Sequence, residues 1–174
     1  MATWIAFLRA INLGATRKFP KADIVAAVER AGGRGVQTHI NTGNVLLEHD
    51  LDQREKVEAV LEEEFLRDRG FDVPTICVTP EELTRIAADA EALGHGGRHY
   101  VSLLKREPTD QDVARIEAVA SAGELAVGGR AVHLLLDDEY HTARLTNNVV
   151  EKHLGVATNR NLTVISALAR KWGA

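Results

Sequence analysis

The chain has 174 residues, of which 45% are hydrophobic, enough to bury most of its surface on folding. Its formal charge of −4 argues against broad nucleic-acid binding, and its single cysteine excludes an intrachain disulfide or a paired-thiol metal site. The N-terminal apolar run is too short for a signal peptide, and no run approaches the roughly 18 apolar residues of a membrane span. We therefore expect a cytoplasmic protein without a membrane partner.

The first half of the chain predicts six elements in the order strand, helix, strand, strand, helix, strand. The first strand is apolar on both alternating faces, as in a central strand of a sheet. Pro74 lies early in the last strand, which suits the edge of a sheet. The predicted ranges are 3–11, 21–33, 35–40, 44–49, 51–70 and 71–78.

A helix follows with a capping box, Thr79-Pro80-Glu81-Glu82, and with Pro80 at its first position. Residues 94–99 are rich in glycine and histidine and are typical of a linker. The order strand, helix, strand, strand, helix, strand then repeats, and another helix closes the chain. The ranges predicted for this half are 99–107, 109–121, 124–127, 130–137, 144–155, 156–160 and 161–172.

Each half thus follows the order βαββαβ with a trailing helix, which is the order of a ferredoxin-like unit, or α-β plait. We predict an α+β protein of two tandem units, residues 1–94 and residues 95–174. Several strands are apolar on both faces. The trailing helices, the other unit or a second chain must therefore cover the second face of each sheet.

A basic segment after the first strand is the first candidate binding site. Residues 1–22 contain four cations and no acid, and they end at a predicted helix N-terminus, where an anion is favoured. The candidate ligand contacts here are Arg9, Asn12, Arg17 and Lys18. The competing interpretation is a solvated loop whose cations offset the acids of the helix at residues 51–70.

Two further segments carry clustered amides. Asn41, Thr42 and Asn44 are typical of a hairpin turn, but two amides and a hydroxyl side by side could also bind a polar ligand. Near the C-terminus, Thr158, Arg160 and Asn161 precede the last helix. Asn161 could cap that helix, and Arg160 beside a helix start could hold an anion.

No catalytic residues emerge from the spacing. The histidines show no metal-binding pattern, the serines lie in no nucleophile elbow, and no nucleotide fingerprint is present. His95 and His99 could meet across a glycine loop, which is weak support for a metal. We predict neither a metal nor a cofactor, and whether the protein is an enzyme is left open.

The stretches FLRAINLGATRK, THINTGNVLLE and ATNRNLTV together resemble the bacterial family called domain of unknown function 1697. That family has an LLRGINVGG-like start, a TYIxSGNVVF-like hairpin and a TxRNWNT-like closing segment. The resemblance implies two tandem α-β plait units and no established activity. The positions that match are Arg9, Asn12, Thr42, Gly43, Asn44, Thr158, Arg160 and Asn161. The closing segment departs most, because it is one residue short and lacks the tryptophan.

These patterns favour an uncharacterised protein that binds a small polar or anionic ligand at the surface between its two units. The alternative is a protein-interaction or self-assembly module, suggested by the sheet faces that the sequence leaves uncovered. RNA binding is less favoured, because aromatic residues make up 5% of the chain and the net charge is negative. The sequence does not give the oligomeric state.

Overall fold

The computed structural model describes residues 1–40, 43–121, 123–137 and 145–174. Its first unit contains β1 (Ala2–Leu8), α1 (Lys21–Arg30), β2 (Arg34–His39), β3 (Asn44–His49), α2 (Arg54–Arg69) and β4 (Thr75–Val78). The strands form one antiparallel sheet in the order β2-β3-β1-β4. β4 is an edge strand, as the position of Pro74 predicts. The element order is the predicted βαββαβ.

The core of the first unit lies between one face of this sheet and the helices α1 and α2. Trp4, Ala6 and Leu8 share that face of β1, because side chains alternate along a strand. They pack in one cluster with residues such as Phe19 and Phe65. The alternate residues of β1, Ile5 and Phe7, are also completely buried. β1 is therefore buried on both faces, as predicted.

Two strands of the first unit end earlier than the sequence predicts. β1 stops at Leu8 rather than Ile11, because Ala10 and Asn12 adopt left-handed backbone conformations with φ of 57° and 53°. β2 stops at His39, since Ile40 has φ of 51° and its side chain is 50% exposed. Both predicted strands are too long because the predictions rest on apolar residue type alone, whereas the backbone at these positions turns away from the sheet.

The second unit repeats this arrangement. It contains α3 (Pro80–Leu93), β5 (Arg98–Leu104), α4 (Asp110–Val119), β6 (Leu125–Gly128), β7 (Ala131–Leu136), α5 (Asn147–Leu154), β8 (Ala157–Asn161) and α6 (Leu162–Trp172). Its antiparallel sheet has the order β6-β7-β5-β8, which is equivalent to that of the first unit. Leu104, Val132 and Leu134 form a core with Ile116 of α4 and Val150 of α5.

Side-chain caps begin two helices of the second unit. The Thr109 hydroxyl accepts a hydrogen bond from the Asp112 amide at 3.1 Å, and Asn161 Oδ1 accepts one from the Thr163 amide at 2.8 Å. These side chains supply acceptors for first-turn amides that have none within the helix. Among the described residues, the helices are all too short or too polar to cross a membrane.

Helix α3 is associated with the second unit. Glu82 at its start pairs with Arg130 at 2.5 Å, and the Thr84 hydroxyl accepts a hydrogen bond from the Ala174 amide at 3.0 Å. Backbone contacts accordingly divide the chain into Met1–Pro80 and Glu81–Ala174. The sequence places the division between residues 94 and 95, because the glycines there are typical of a linker and nothing in the helix itself reveals its partners.

Candidate ligand-binding site in the first unit

The basic loop (residues 9–20) and the hairpin turn between β2 and β3 meet at one end of the first sheet. The loop leaves β1 after Leu8, and the turn connects β2 to β3. Phe7 is paired with Asn44 across the sheet, and the Leu8 amide donates a 2.8 Å hydrogen bond to the Gly43 carbonyl. Helix α1 begins at the far end of the loop. Two of the three predicted segments are therefore neighbours in the fold.

Asn12 holds the basic loop closed. Its Nδ2 donates to the Phe19 carbonyl at 3.1 Å, and its Oδ1 accepts from the Phe19 amide at 2.8 Å. Its own amide donates to the Arg17 carbonyl at 2.8 Å. The left-handed conformation of Asn12 suits an asparagine better than most residues. The amide predicted to contact a ligand is thus used to shape the loop.

Arg17 is also engaged within the first unit. Its Nε donates to the Ala10 carbonyl at 2.5 Å, and its Nη2 donates to the Asp72 carbonyl. The guanidinium lies 4.5 Å from the centre of the Phe71 ring, in cation–π geometry. By contrast, Lys18 is exposed at the loop surface. Lys18 is therefore more exposed to solvent than Arg17.

The hairpin turn is closed by a buried amide. Asn44 has no exposed surface, and its Nδ2 donates to the His39 carbonyl at 3.1 Å. Gly43 has φ of 77°, and a Cβ placed on it would lie 2.8 Å from Leu8 Cβ. The chain therefore requires glycine at this position. Asn41 and Thr42, also predicted ligand contacts, lie outside the described residues.

A small cavity of about 10 Å³ lies where these segments meet. It is lined by residues that include Asn12, Lys21, Thr38, Gly43 and Asn44. That volume holds a group about as large as one water molecule. Within the described chain, the Thr38 hydroxyl is buried without a hydrogen-bond partner. Thr38 lies in the strand predicted at residues 35–40, and the sequence does not identify it as a site residue.

The third predicted segment belongs to the second unit, where its side chains bond to one another. Arg160 is 8% exposed, and its Nη1 donates to the Thr158 hydroxyl at 2.8 Å and to the Asn159 carbonyl at 2.9 Å. Burial lowers the pKa of Arg160 to about 10. Asn161 caps α6. That these residues converge with the first two segments stays a prediction.

The second unit contains a pair of buried histidines that the sequence did not predict. His99 Nε2 lies 2.9 Å from His133 Nδ1, and the ring of His95 is 6.4 Å from that of His99. Burial, together with the charges of His133 and His95, lowers the pKa of His99 to about 4. The available signal was His133 within the apolar run of β7. In the described part of the chain, no three His, Cys, Asp or Glu residues are arranged to hold a metal.

These features define an α+β protein built from two tandem α-β plait units. The solved structure of the conserved bacterial protein SP0830 from Streptococcus pneumoniae has the same fold, with a TM-score of 0.74. The alignment covers 99% of this chain and 98% of that one. The two sequences are 16% identical, so this likeness shows the fold alone.

The sequence family follows from a separate comparison. The family described as "Protein of unknown function (DUF1697)" matches residues 1–133, and the chain belongs to it. The matched residues include the basic loop and the hairpin turn, and they end before the segment at 158–161. No curated protein matches the chain.

Proposed function

We propose that the first unit binds a small anionic ligand where the basic loop, the hairpin turn and the start of α1 meet. The observation that carries this proposal is the buried Thr38 hydroxyl, which lines the cavity and has no partner within the described chain. A buried polar group without a partner costs about 1–3 kcal/mol. An oxygen atom of a bound ligand would accept the missing hydrogen bond.

The surroundings of the cavity favour a negative charge on that ligand. The first intrahelical bond of α1 joins the Ile24 amide to the Pro20 carbonyl at 3.0 Å, so the amides of residues 21–23 have no acceptor within the helix. The exposed Lys21 stands at this positive end of the helix dipole. The acid in the first turn, Asp23, forms an ion pair at 3.3 Å with Arg69, which also pairs with Asp68, so the negative charge of Asp23 is partly offset.

The size of the cavity limits how the ligand is held. About 10 Å³ admits one oxygen-sized group and no metabolite. The rest of a phosphate or carboxylate would remain at the surface, near Lys21. Because exposed charges are screened by salt, the affinity should fall as ionic strength rises.

Calorimetric titration and thermal unfolding with inorganic phosphate and with glucose 6-phosphate test this proposal. Lys21→Ala and Thr38→Val should each weaken binding about five- to tenfold, through loss of a charge or of one hydrogen bond. Lys56→Ala is the matched control, because Lys56 is an exposed lysine on α2 of the same unit. Absence of binding, or equal binding by all three variants, would refute the proposal.

Self-assembly is a second candidate, favoured by two exposed apolar side chains, one on the basic loop and one on the hairpin turn. Leu13 on the basic loop is 53% exposed, and Ile40 on the turn is 50% exposed. Exposed apolar side chains favour a contact with another chain when they form a patch on the surface. Light scattering at high micromolar concentration tests this candidate by measuring the oligomeric state of the wild type and of Ile40→Ser. A strictly monomeric wild type excludes this candidate.

A further inference from the structure

We infer that the second unit contains a separate binding site for a small uncharged polar molecule. A cavity of about 250 Å³ lies between the sheet and the start of α5. Its walls include Tyr100, Leu134, Thr146, Asn147, Asn148 and Asn159. Ligand sites for drug-sized molecules usually measure about 300–1,000 Å³, so this cavity suits a smaller ligand.

The fold creates this cavity by a change from apolar to polar residues along one sheet face. Leu104 and Ala157 are cross-strand partners and belong to the core under α5. Two residues further along each strand, Ser102 is paired with Asn159. Helix α5 inserts Val150 into the apolar end. The polar end remains open as the cavity.

A hydrogen-bond network fixes the floor of the cavity. The completely buried Ser102 hydroxyl donates to Asn147 Oδ1 at 2.8 Å and accepts from Asn159 Nδ2 at 3.1 Å. Asn147 Nδ2 donates to the Ala157 carbonyl at 3.1 Å. Both amide planes are therefore held in place before any ligand arrives. A preorganised polar group loses little side-chain entropy on binding.

Several polar groups remain available after this network is formed. Within the described chain, Asn159 Oδ1 accepts no hydrogen bond, and the side chains of Thr146 and Asn148 make none. Together they offer both acceptors and donors to a molecule in the cavity. The Thr146 hydroxyl stands at the N-cap position of α5 without bonding to the helix.

The remaining lining defines the class of ligand. None of the described residues that line the cavity carries a charge, so these residues offer a charged ligand no ion pair to compensate for its lost hydration. Tyr100 and Leu134 provide apolar surface suited to the face of a ring. The site therefore fits an uncharged ring with hydrogen-bonding groups at its edge. Hexose sugars and nucleosides share this chemistry.

Amide-resolved NMR titration of the full chain with glucose and, separately, with adenosine tests the site. At least one probe should give saturable shifts confined to residues around 134, 145–149 and 159. Asn148→Ala and Asn159→Ala should each weaken that binding about five- to tenfold. Gln111→Ala removes an exposed amide on α4 of the same unit and should leave binding unchanged.

Asn148 is exposed and takes no part in the network, so Asn148→Ala keeps the test valid even if Asn159→Ala is unstable. The inference is overturned if neither probe shifts these amides at about 50 mM, or if Asn148→Ala binds as tightly as wild type. Shifts caused by inorganic phosphate alone would overturn the assignment of an uncharged ligand. Lys21→Ala, in the first unit, should not affect this titration, so the two sites succeed or fail separately.

Discussion

Asn12 and Asn44 each use a side-chain amide to hold a turn that contains residues with left-handed backbone conformations. Asn12 bonds both backbone groups of Phe19, and Asn44 bonds the carbonyl of His39, next to the left-handed Ile40. Such conformations are costly for most residues, and local hydrogen bonds offset that cost. The two asparagines therefore shape the cavity, whereas Thr38 retains the capacity to bond a ligand.

The histidine pair in the second unit leaves one ring N–H without an acceptor. His99 and His133 share a hydrogen bond, and the remaining buried nitrogens, His99 Nδ1 and His133 Nε2, have no partner within the described chain. Whichever ring donates the shared bond, one of these two atoms carries a hydrogen. Burial lowers the pKa of His133, where Asp89 acts to raise it and Arg85 to lower it. Both rings are therefore held neutral at pH 7.

Acidification should destabilise the protein through His99. In the unfolded chain this group has its ordinary pKa of 6.5, whereas in the folded chain burial lowers the pKa to about 4. The unfolded state binds more protons between these values, so the free energy of unfolding falls as the pH falls from about 6.5 to about 4. The loss reaches up to about 3 kcal/mol and grows no further below that range.

Urea unfolding at a series of pH values measures this effect, and imidazole NMR gives the pKa directly. Because carboxylates titrate in the same range, the control is His99→Leu, whose stability should vary less with pH than that of the wild type. A His99 ring that titrates near pH 6.5 in the folded protein would contradict the prediction.

At the scale of elements, the hairpin between β2 and β3 is packed tightly against the end of β1. A Cβ on Gly43 would lie 2.8 Å from Leu8 Cβ and 3.0 Å from Ile11 Cδ1, and its φ of 77° disfavours any other residue. Gly14 has a similar φ of 58°, but nothing lies within 4 Å of the position its Cβ would take. Comparing substitutions at these two glycines therefore separates the effect of backbone strain from the effect of steric overlap.

Gly14→Ala should cost about 1 kcal/mol, through backbone strain alone. Gly43→Ala should cost about 3 kcal/mol or more, because overlap with a packed strand adds to the strain. Chemical denaturation of both variants against wild type measures the difference. Equal losses would mean that the turn moves freely away from β1, in which case it would not support a preformed cavity.

Most elements were predictable because their signals are local. Thr109 and Asn161 mark helix starts through side-chain caps, and Pro80 marks another through its fixed φ. The site was less predictable. Nothing in the sequence shows that the Asn12 amide is used internally, or that the Thr38 hydroxyl lacks a partner. Both facts depend on which strands become neighbours, and local pattern does not contain that information.

At the scale of the whole chain, the repeated element order predicts two units, and the fold contains two equivalent sheets. The division between the units by backbone contacts lies one helix earlier in the chain than the division that the sequence predicts. A glycine-rich stretch after α3 suggests a linker, but Glu82 of α3 is paired with Arg130, which is only 6% exposed. Arg130 also donates to the Leu104 carbonyl at 2.9 Å. A long-range ion pair of this kind has no signature in sequence spacing.

Two fragments of the chain, residues 81–174 and residues 95–174, distinguish the two positions at which the chain could be divided into units. The longer fragment should be the more stable, because removal of α3 leaves the buried Arg130 charge without its carboxylate and the Ala174 amide without the Thr84 hydroxyl. Loss of one partner of a buried ion pair costs about 3 kcal/mol or more, and the partial exposure of Glu82 places this case at the lower end. Urea unfolding followed by circular dichroism measures the difference. Both fragments lack the first unit, so its removal cancels in the comparison.

Within the longer fragment, Glu82→Gln should reproduce part of the loss, because it keeps the size of the side chain and removes its charge. Glu91→Gln is the matched control, since Glu91 is exposed on the same helix. If the fragment 95–174 were as stable as the fragment 81–174, the helix would not contribute to the second unit, and the division after residue 94 would hold. A stability difference that Glu82→Gln shares and Glu91→Gln does not would instead assign α3 to the second unit through its ion pair with Arg130.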